Sequence, residues 1–438
     1  MKIAIVGAGI SGLGAAMALK DDHDVTVFEK QSRLGGHANT VVIDYPLKGG
    51  GTRKIAVDTG FIVYNRKTYP NLCGFFDHLG VETEWSDMSL GFSIDKGRLE
   101  WAGDNLNKIF AQRRNLVSPR FIKMAREVLK FNDEAIADFH AGMDGQISIG
   151  DWLDARGYSD DFKRWYLYPM AGSIWSTRSS DIADFSARAL FGFYENHELF
   201  AGLDGAVQWR TVTGGSRQYV DKVASELDER VKLNANITAV ENSGLVHFAD
   251  GSSEQFDQII LATHSDEALT LRKDADAQTR TLLSAIRYAP NKAYLHRDES
   301  LMPRSKRVWS SWNAITGGTA EAKGASLSYW MNRLQNIDRE TPLFVSLNPE
   351  QEPDPDLTFL SVEYAHPQYD AAAFAAQEQF DSVQGRNGIW YAGAWLGFGF
   401  HEDGLRAGVR IAEALGSRPA WVADTGVPIR TETLLVAE

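Results

Sequence analysis

Three glycines and one carboxylate near the start of the chain have the spacing of a dinucleotide-binding turn. Gly7, Gly9 and Gly12 form a GxGxxG pattern directly after the apolar run 2–6, and Glu29 ends the next apolar run. In such a turn the first glycine permits the bend, the second admits a diphosphate, and the third lets the helix pack closely. A carboxylate at the second position accepts hydrogen bonds from a ribose hydroxyl and repels a 2′-phosphate. We therefore expect a dinucleotide to bind at the start of a helix.

A second stretch with unusual chemistry is WYAGAWLGFGFHEDGLRAG at 390–408. It is too rich in glycine for a core strand and too rich in aromatic residues for a solvated loop. Glycines such as Gly397 and Gly399 let a backbone lie close to a planar ring. The run 402–416, closed by Gly416, has the composition of a helix. We expect this stretch to face a flat ligand.

The elements that must position these residues begin with a βαβ unit. The apolar runs 2–6 and 25–29 flank a stretch of helical composition that opens with the glycine turn. Further strand candidates lie at 231–240, 256–263 and 388–393. We infer one nucleotide-binding domain that is assembled from three separated pieces, with the intervening stretches forming a second lobe.

Composition narrows the class of protein. The 438 residues carry a net charge of -13, which argues against general nucleic-acid binding. The single cysteine, Cys73, excludes an internal disulfide framework and a cysteine-based zinc site, and we expect no metal. No secretory leader is visible, and no apolar run approaches the roughly 20 residues of a spanning helix. These features favour a cytoplasmic protein.

Three further motifs resemble one flavoprotein family. EKQSRLGGH at 29–37 resembles the segment that follows the second strand in amine oxidases, protoporphyrinogen oxidases and phytoene-type desaturases. VDTGFIV at 57–63 resembles that family's glycine turn beside the flavin ring, and FDQIILATH at 256–264 resembles its strand beneath the nucleotide. His37 stands where the family usually has an arginine, so this phosphate contact would be weaker and pH-dependent.

The resemblance implies that FAD is the cofactor. It also implies that the residues matching the family's motifs contact it. These are Gly7, Gly9, Ser11, Gly12, Glu29, Lys30, Arg33, Gly35, Gly36, His37, Thr59, Gly60, Phe61, Ile62, Ile237, Gly393, His401, Glu402, Asp403 and Gly404. A second GxGxxG after a strand is not visible, so no NADPH site is expected.

The predicted fold class is α/β, with a Rossmann-type (glutathione-reductase-like) FAD-binding domain and a second α+β substrate domain. The FAD domain is predicted at 1–75, 206–270 and 386–420. The substrate domain is predicted at 76–205, which is helix-rich, and at 271–385, followed by a C-terminal tail at 421–438.

Longer stretches resemble a narrower group, the bacterial predicted NAD/FAD-binding flavoproteins within the same superfamily. They are YLYPMAGSIWSTRSSDIADF at 166–185, WRTVTGGSRQYVDKV at 209–223, ATHSDEALTL at 262–271 and GFGFHEDGL at 397–405. Members of that group are often encoded near methyltransferases that resemble cyclopropane-fatty-acyl synthases. The resemblance therefore implies lipid acyl chains as substrates.

Two residues are candidates for catalysis through this resemblance. His401 stands where monoamine oxidases place one tyrosine of an aromatic cage, and it would act as an acid or base if its pKa lies near the working pH. Lys292 lies on a strand comparable to one that carries a water-bound lysine near flavin N5 in amine oxidases. The alternatives are a histidine that only bonds its loop and a solvated lysine at a strand edge.

The sequence favours an FAD-dependent desaturase. A hydride would pass from a C–H bond to flavin N5 and a base would remove the neighbouring proton, forming a double bond in a (methylated) acyl chain of a membrane phospholipid. Oxygen, a quinone or a carrier protein would then take the electrons. The alternatives are an amine oxidase that forms an imine, an FAD-retaining lipid-binding or escort protein, and a redox-neutral isomerase.

A local reversal of charge suggests a further partner. Residues 105–126 contain basic and apolar side chains and no acid. A basic amphipathic helix pair can bind anionic lipid headgroups, which would place the protein on the inner face of the cytoplasmic membrane. The alternative is a solvated helix face that packs on the substrate lobe.

Overall fold

The computed structural model describes residues 1–145, 147–175, 181–196, 207–317 and 326–423. Most of the predicted tail 421–438 and the end of the helix-rich segment 76–205 lie outside the described residues.

The described strands are numbered β1 to β20 in chain order. They are Lys2–Val6, Asp24–Phe28, Thr40–Pro46, Thr52–Asp58, Val63–Asn65, Thr83–Trp85, Leu90–Ile94, Leu99–Ala102, Trp209–Val212, Val231–Lys232, Ile237–Val240, Leu245–Phe248, Ser253–Gln255, Gln258–Leu261, Arg287–His296, Trp312–Ile315, Ser326–Trp330, Phe344–Leu347, Thr358–Gln368 and Ile389–Tyr391. The described helices, α1 to α15, are Ile10–Leu19, Pro70–His78, Leu106–Ile109, Pro119–His140, Ile149–Ala155, Asp160–Phe162, Tyr168–Trp175, Ala187–Asn196, Arg217–Leu227, Ser265–Leu271, Ala277–Ala285, Met331–Leu334, Ala371–Gln379, His401–Ala414 and Ala420–Ala423.

A five-stranded parallel sheet forms the nucleotide part of the molecule. Its order is β10-β2-β1-β14-β20, and each neighbouring pair runs parallel. The order reverses between β1 and β14, so a crevice opens at the carboxyl ends of these two strands. A three-stranded antiparallel sheet, β11-β12-β13, accompanies it. The predicted Rossmann-type fold class is confirmed, whereas the domain boundaries stay predictions.

Helices α1 and α14 pack tightly against each other beside this sheet. Every residue of α1 is buried, and its sequence, ISGLGAAMAL, consists largely of small side chains. A Cβ on Gly408 of α14 would lie 2.3 Å from the carbonyl oxygen of Ser11. Glycine at this position therefore lets the two helices approach closely, and their N-termini meet near the crevice.

The part of the chain predicted as the substrate domain, called the substrate lobe below, contains a seven-stranded mixed sheet of order β19-β15-β18-β17-β16-β7-β8. One of its faces is apolar: cross-strand neighbours form the row Phe92, Ala314, Leu327, Leu347, Ala293 and Val362. The opposite face is polar, and the adjacent row on it is Asn313, Ser328, Ser346, Tyr294 and Ser361. The sheet therefore presents two chemically different surfaces.

The helix-rich part packs an aromatic core around Phe131 and Trp152. A π-helical turn, Lys163–Leu167, interrupts the path from α6 to α7, and such turns often occur at functional sites. Among the described helices none has the length and apolarity needed to cross a membrane.

Candidate functional site

The glycine turn at the end of β1 leaves space for a ligand. A Cβ on Gly9 would meet no atom within 4 Å, whereas a Cβ on Gly12 would lie 1.9 Å from the carbonyl oxygen of Gly7. Gly7 itself has a φ of 104°, which favours glycine. Helix α1 begins at Ile10, so its first N–H groups lack intrahelical partners and border this space. The turn has the shape that a diphosphate requires.

Glu29 is held rigidly at the carboxyl end of β2. Its Oε2 accepts a hydrogen bond from the Ala8 N–H at 2.9 Å, and its Oε1 accepts one from the Gln31 N–H at 2.8 Å. Each carboxylate oxygen retains a second lone pair, which suits ribose hydroxyls. Lys30 forms an ion pair with Glu267 at the rim, and Ile237 begins β11.

A second glycine loop lies over the first. A Cβ on Gly36, which has a φ of 56°, would lie 3.2 Å from the Gly9 Cα. The Gly35 N–H donates to the Ala8 carbonyl at 2.9 Å, and the Arg33 guanidinium donates to the Gly36 carbonyl at 2.9 Å. Ser11 lies within α1 below, and a Cβ on Gly404 would meet its Oγ at 2.9 Å.

The segment Thr59–Ile62 closes against this loop. The Phe61 N–H donates to the His37 carbonyl at 2.8 Å, and a Cβ on Gly60 would lie 2.2 Å from the same oxygen. The Thr59 hydroxyl lies 2.8 Å from the Tyr364 hydroxyl, which belongs to β19 of the substrate lobe. These contacts join the two lobes at the cleft.

The acidic side chains at the start of α14 turn inward. The Glu402 carboxylate accepts hydrogen bonds from the backbone N–H groups of Asn71 and Leu72, at 3.0 and 2.9 Å, and thereby caps α2. The Asp403 carboxylate accepts from the N–H groups of Phe398 and Phe400, at 3.0 and 3.1 Å. Burial raises the pKa of both carboxyl groups.

Backbone groups of α14 remain for a ligand. The first N–H groups of the helix, from His401 onward, have no partner within the helix and form its positive dipole end. Gly393 lies just before this segment, and a Cβ there would collide with the Trp395 indole nitrogen at 2.1 Å. The helix end suits a ligand edge that carries negative charge.

His401 is buried within the nucleotide part. Its ring stacks on Phe61 with centroids 3.7 Å apart, and its Nε2 lies 3.2 Å from the Tyr219 hydroxyl. Burial lowers the pKa of His401 to about 3. The imidazole is therefore neutral at neutral pH, and it is a weaker base than a histidine whose pKa lies near the working pH.

The structure does not bring Lys292 to this cluster. In the pairing of β15 with β19, Asn291 lies opposite Tyr364 and Lys292 lies opposite Glu363. Successive side chains of a strand point to opposite faces, so Lys292 lies on the face away from Tyr364. Its Nζ is 3.1 Å from the Glu352 carboxylate, and the side chain is 43% exposed.

Sequence reasoning missed several residues that line the cleft. Tyr364 and His366 come from β19, and Tyr288 is the second residue of β15. His264, the last residue of the motif at 256–264, also lies here, with its ring stacked on Tyr288. No local pattern marks the residues of β19, because only pairing with distant strands places them here.

The residues present fit FAD. The space at Gly9, the Glu29 carboxylate and the N-termini of α1 and α14 offer separate positions for a diphosphate, a ribose and an anionic ring edge. Among the described residues no group of three or more His, Cys, Asp or Glu side chains is arranged to hold a metal ion.

Comparisons with known proteins agree with this geometry. The model of the family described as flavin-containing amine oxidoreductases matches residues 10–416. AofH of Mycobacterium tuberculosis, which is named a flavin-containing monoamine oxidase, is 25% identical over 256 residues, which are 55% of this chain and 52% of AofH. The match thus spans about half the length of that relative.

Two further comparisons are with a desaturase and an isomerase. The 4,4′-diapophytoene desaturase of Staphylococcus aureus is 47% identical over 45 residues, 10% of this chain and 9% of its own. The crystal structure of a CLA-producing fatty acid isomerase from P. acnes superposes with a TM-score of 0.66 at 15% identity, covering 94% of this chain and 97% of the isomerase. At that identity the likeness establishes the fold alone.

Proposed function

The chain belongs to the flavin-containing amine oxidoreductase family, and from this premise we propose that it is a desaturase that forms a carbon–carbon double bond in an acyl lipid. Its cofactor is FAD, and it is an FAD-dependent oxidoreductase. The acyl chain, and in particular a methylated chain of a membrane phospholipid, is the proposed substrate.

The observation that carries the proposal is the apolar character of the segment before α14. Phe398 and Phe400 pack on Phe193 of the helix-rich part, with ring centroids 5.9 and 5.3 Å apart. The neighbouring carboxylates of Glu402 and Asp403 are already bound to backbone donors. An ammonium group would need a free carboxylate or an aromatic cage, whereas an acyl chain needs an apolar surface.

Different parts of the site would have different roles in the reaction. FAD held at the Gly9 turn, Glu29 and the start of α14 would supply a two-electron oxidant, reoxidised by oxygen, a quinone or a carrier. The N–H groups at the start of α14 would stabilise negative charge in the cleft. The aromatic segment around Phe398 would exclude water and hold the acyl chain.

His401 is the proposed acceptor of the one proton that the substrate loses. Its ring is neutral at neutral pH and can therefore receive a proton, and its Nε2 lies 3.2 Å from the Tyr219 hydroxyl. The low pKa limits its strength as a base. The same contacts also suit a second role for His401, in which its ring only holds Phe61 in position.

We propose that an anionic membrane surface delivers the substrate, through a docking surface formed by α3 and the turn before α4. Leu106 is 70% exposed and Val117 is 82% exposed. Arg113 and Arg114 lie between them, and Lys123 follows on the first turns of α4. Since the whole chain carries a charge of -13, this local positive charge is complementary to anionic headgroups.

Vesicle binding tests the docking surface. We expect the protein to sediment with vesicles that contain phosphatidylglycerol but not with pure phosphatidylcholine, and to dissociate in high salt. The double variant Leu116→Asp, Val117→Asp should lose this binding. Leu233→Asp, at a 42% exposed leucine elsewhere, is the matched control. Equal binding by both variants would contradict the docking surface.

Anaerobic spectroscopy of the holoenzyme tests the reaction. We expect bleaching of the oxidised flavin on addition of phospholipid and a product with one more double bond by mass spectrometry. Reduction by amines alone would favour an amine oxidase, the function named for AofH, with which the chain aligns over 55% of its length. A shifted double bond without net flavin reduction would instead favour an isomerase, as named for the structural neighbour.

A further inference from the structure

Three histidines from three distant segments of the chain meet beside the glycine turn. His37 follows the second glycine loop, His264 follows β14, and His366 lies on β19 of the substrate lobe. The His37 ring centroid lies 6.0 Å from that of His264 and 5.8 Å from that of His366. Tyr364 stacks on His37 at 5.0 Å, and Tyr288 stacks on His264 at 4.5 Å.

The three rings lie at the reversal point of the parallel sheet. His264 stands at the carboxyl end of β14, and β14 pairs directly with β1, whose carboxyl end carries the open space at Gly9. His37 directly follows Gly36, whose Cβ position would be 3.2 Å from the Gly9 Cα. A dinucleotide in an open parallel sheet crosses at such a reversal point.

We propose that His37, His264 and His366 form an anion site that binds the diphosphate of FAD, with His366 supplied by the substrate lobe. The chemical class of the ligand is a diphosphate diester. No single permanent cation is required, since each imidazole can donate an N–H to a phosphate oxygen. This inference depends on FAD binding and is independent of the proposed lipid substrate.

The charges that face this cluster determine its protonation. Burial, together with the neighbouring histidines, His401 and Arg33, holds the pKa of His37 well below its usual range. Burial lowers the pKa of His366 to about 4, and His264 also lowers it. For His264, burial lowers the pKa more than Glu267 and Asp266 raise it, and Lys30 lowers it further. Without an anion the three rings are therefore neutral at neutral pH.

A bound diphosphate reverses this balance. Two negative charges beside the rings favour the imidazolium form and raise the histidine pKa values. Binding is therefore coupled to proton uptake. FAD affinity is therefore greatest at acid pH, and it falls as the pH rises through the pKa values that the histidines have in the FAD-bound state. A permanently charged arginine at the same place would give binding without this dependence.

Calorimetry of FAD binding to the full-length apoprotein tests the proposal. The FAD diphosphate is esterified on both phosphates and remains a dianion from pH 6 to 9, so the ligand does not titrate. We expect the Kd to rise about tenfold per pH unit for each proton taken up. We also expect binding enthalpies that differ between buffers of different ionisation enthalpy. A Kd independent of pH and of buffer would overturn the proposal.

Variants locate the effect. His366→Gln should weaken FAD binding at pH 6 and flatten the pH profile, while His37→Arg should retain binding with a smaller pH dependence, because only His264 and His366 can then take up protons. His264→Gln replaces His366→Gln if the latter does not fold. The matched control is His247→Gln, at a histidine paired with Glu241 in the small antiparallel sheet. Riboflavin, which lacks phosphate, should bind with no pH dependence, and an unchanged FAD profile in His37→Arg would contradict the site.

Discussion

The two large sheets of the molecule differ in where they place polar side chains. In the parallel sheet, strand β1 is buried along nearly its whole length and has apolar neighbours on both sides, so its chemistry is confined to the carboxyl ends. In the seven-stranded sheet, strand β15 exposes different chemistry on its two faces, with Ala293 on the apolar face and Lys292 on the polar one. FAD binding at the parallel sheet depends on the backbone turns after its strands. In the seven-stranded sheet, whether a side chain reaches the FAD site depends on the face that it occupies.

Glycine substitutions give the largest expected effect, and they act through the backbone of the parallel sheet. Gly12→Ala places a Cβ 1.9 Å from the Gly7 carbonyl oxygen, so we expect a loss of at least about 3 kcal/mol of stability, seen as a large drop in Tm. Gly9→Ala meets no protein atom within 4 Å, and Gly9 has a φ of −75°, which alanine tolerates.

The Gly9 variant is the matched control. Its apoprotein should unfold within about 0.5 kcal/mol of the wild type, yet its FAD affinity should fall about tenfold or more, because the new methyl group occupies the ligand space. Equal Tm losses in both apoproteins would mean that the turn serves folding alone.

Variants of His401 test whether the start of α14 takes part in the reaction or only in FAD binding. If it accepts the substrate proton, His401→Gln should slow anaerobic flavin reduction by about 10²–10⁴-fold. Because its pKa is about 3, we expect no titration of this residue in the rate between pH 6 and 9. Tyr219→Phe removes only the hydroxyl partner and is the conservative control. A weaker FAD affinity with an unchanged reduction rate would assign His401 to positioning Phe61 instead.

The difference between the sheets explains how much the sequence could predict. The glycine turn, Glu29 and the start of α14 are encoded by neighbouring residues, and the predicted Rossmann-type domain and its FAD cofactor are confirmed. The face of a strand depends on register, and a shift of one residue exchanges the faces. For this reason the sequence predicts Lys292 but not Tyr364 or His366, whose positions depend on the pairing between β15 and β19.

The polar face of the seven-stranded sheet should make the substrate lobe sensitive to acid. The His296 Nε2 lies 2.8 Å from the Ser346 hydroxyl, its Nδ1 accepts from the Asp298 N–H, and burial lowers its pKa to about 4. In the unfolded chain His296 has the usual histidine pKa of about 6.5, so the unfolded state binds the proton first. The stabilisation is therefore complete above about pH 6.5 and is lost as the pH falls toward 4, by at most about 3 kcal/mol.

The measurement is the difference in Tm between wild type and His296→Gln across that range. We expect the variant to be less stable at pH 7 and its deficit to shrink as the pH falls. A deficit for His296→Gln that stays constant with pH would mean that the ring is not held neutral by burial.

Lys292 should give the smallest effect, and it tests the assignment of faces most directly. Its ammonium group pairs with Glu352 in solvent, with 43% and 69% of the two side chains exposed, and such pairs contribute about 0–1 kcal/mol. We expect Lys292→Met to change the rates of flavin reduction and reoxidation less than about twofold. Tyr364→Phe, on the other face of the same strand pair, loses the hydroxyl that bonds Thr59 and Asn39 and should weaken FAD binding measurably. If Lys292→Met slowed reoxidation tenfold while Tyr364→Phe changed nothing, the polar face would have to be the one that meets the flavin.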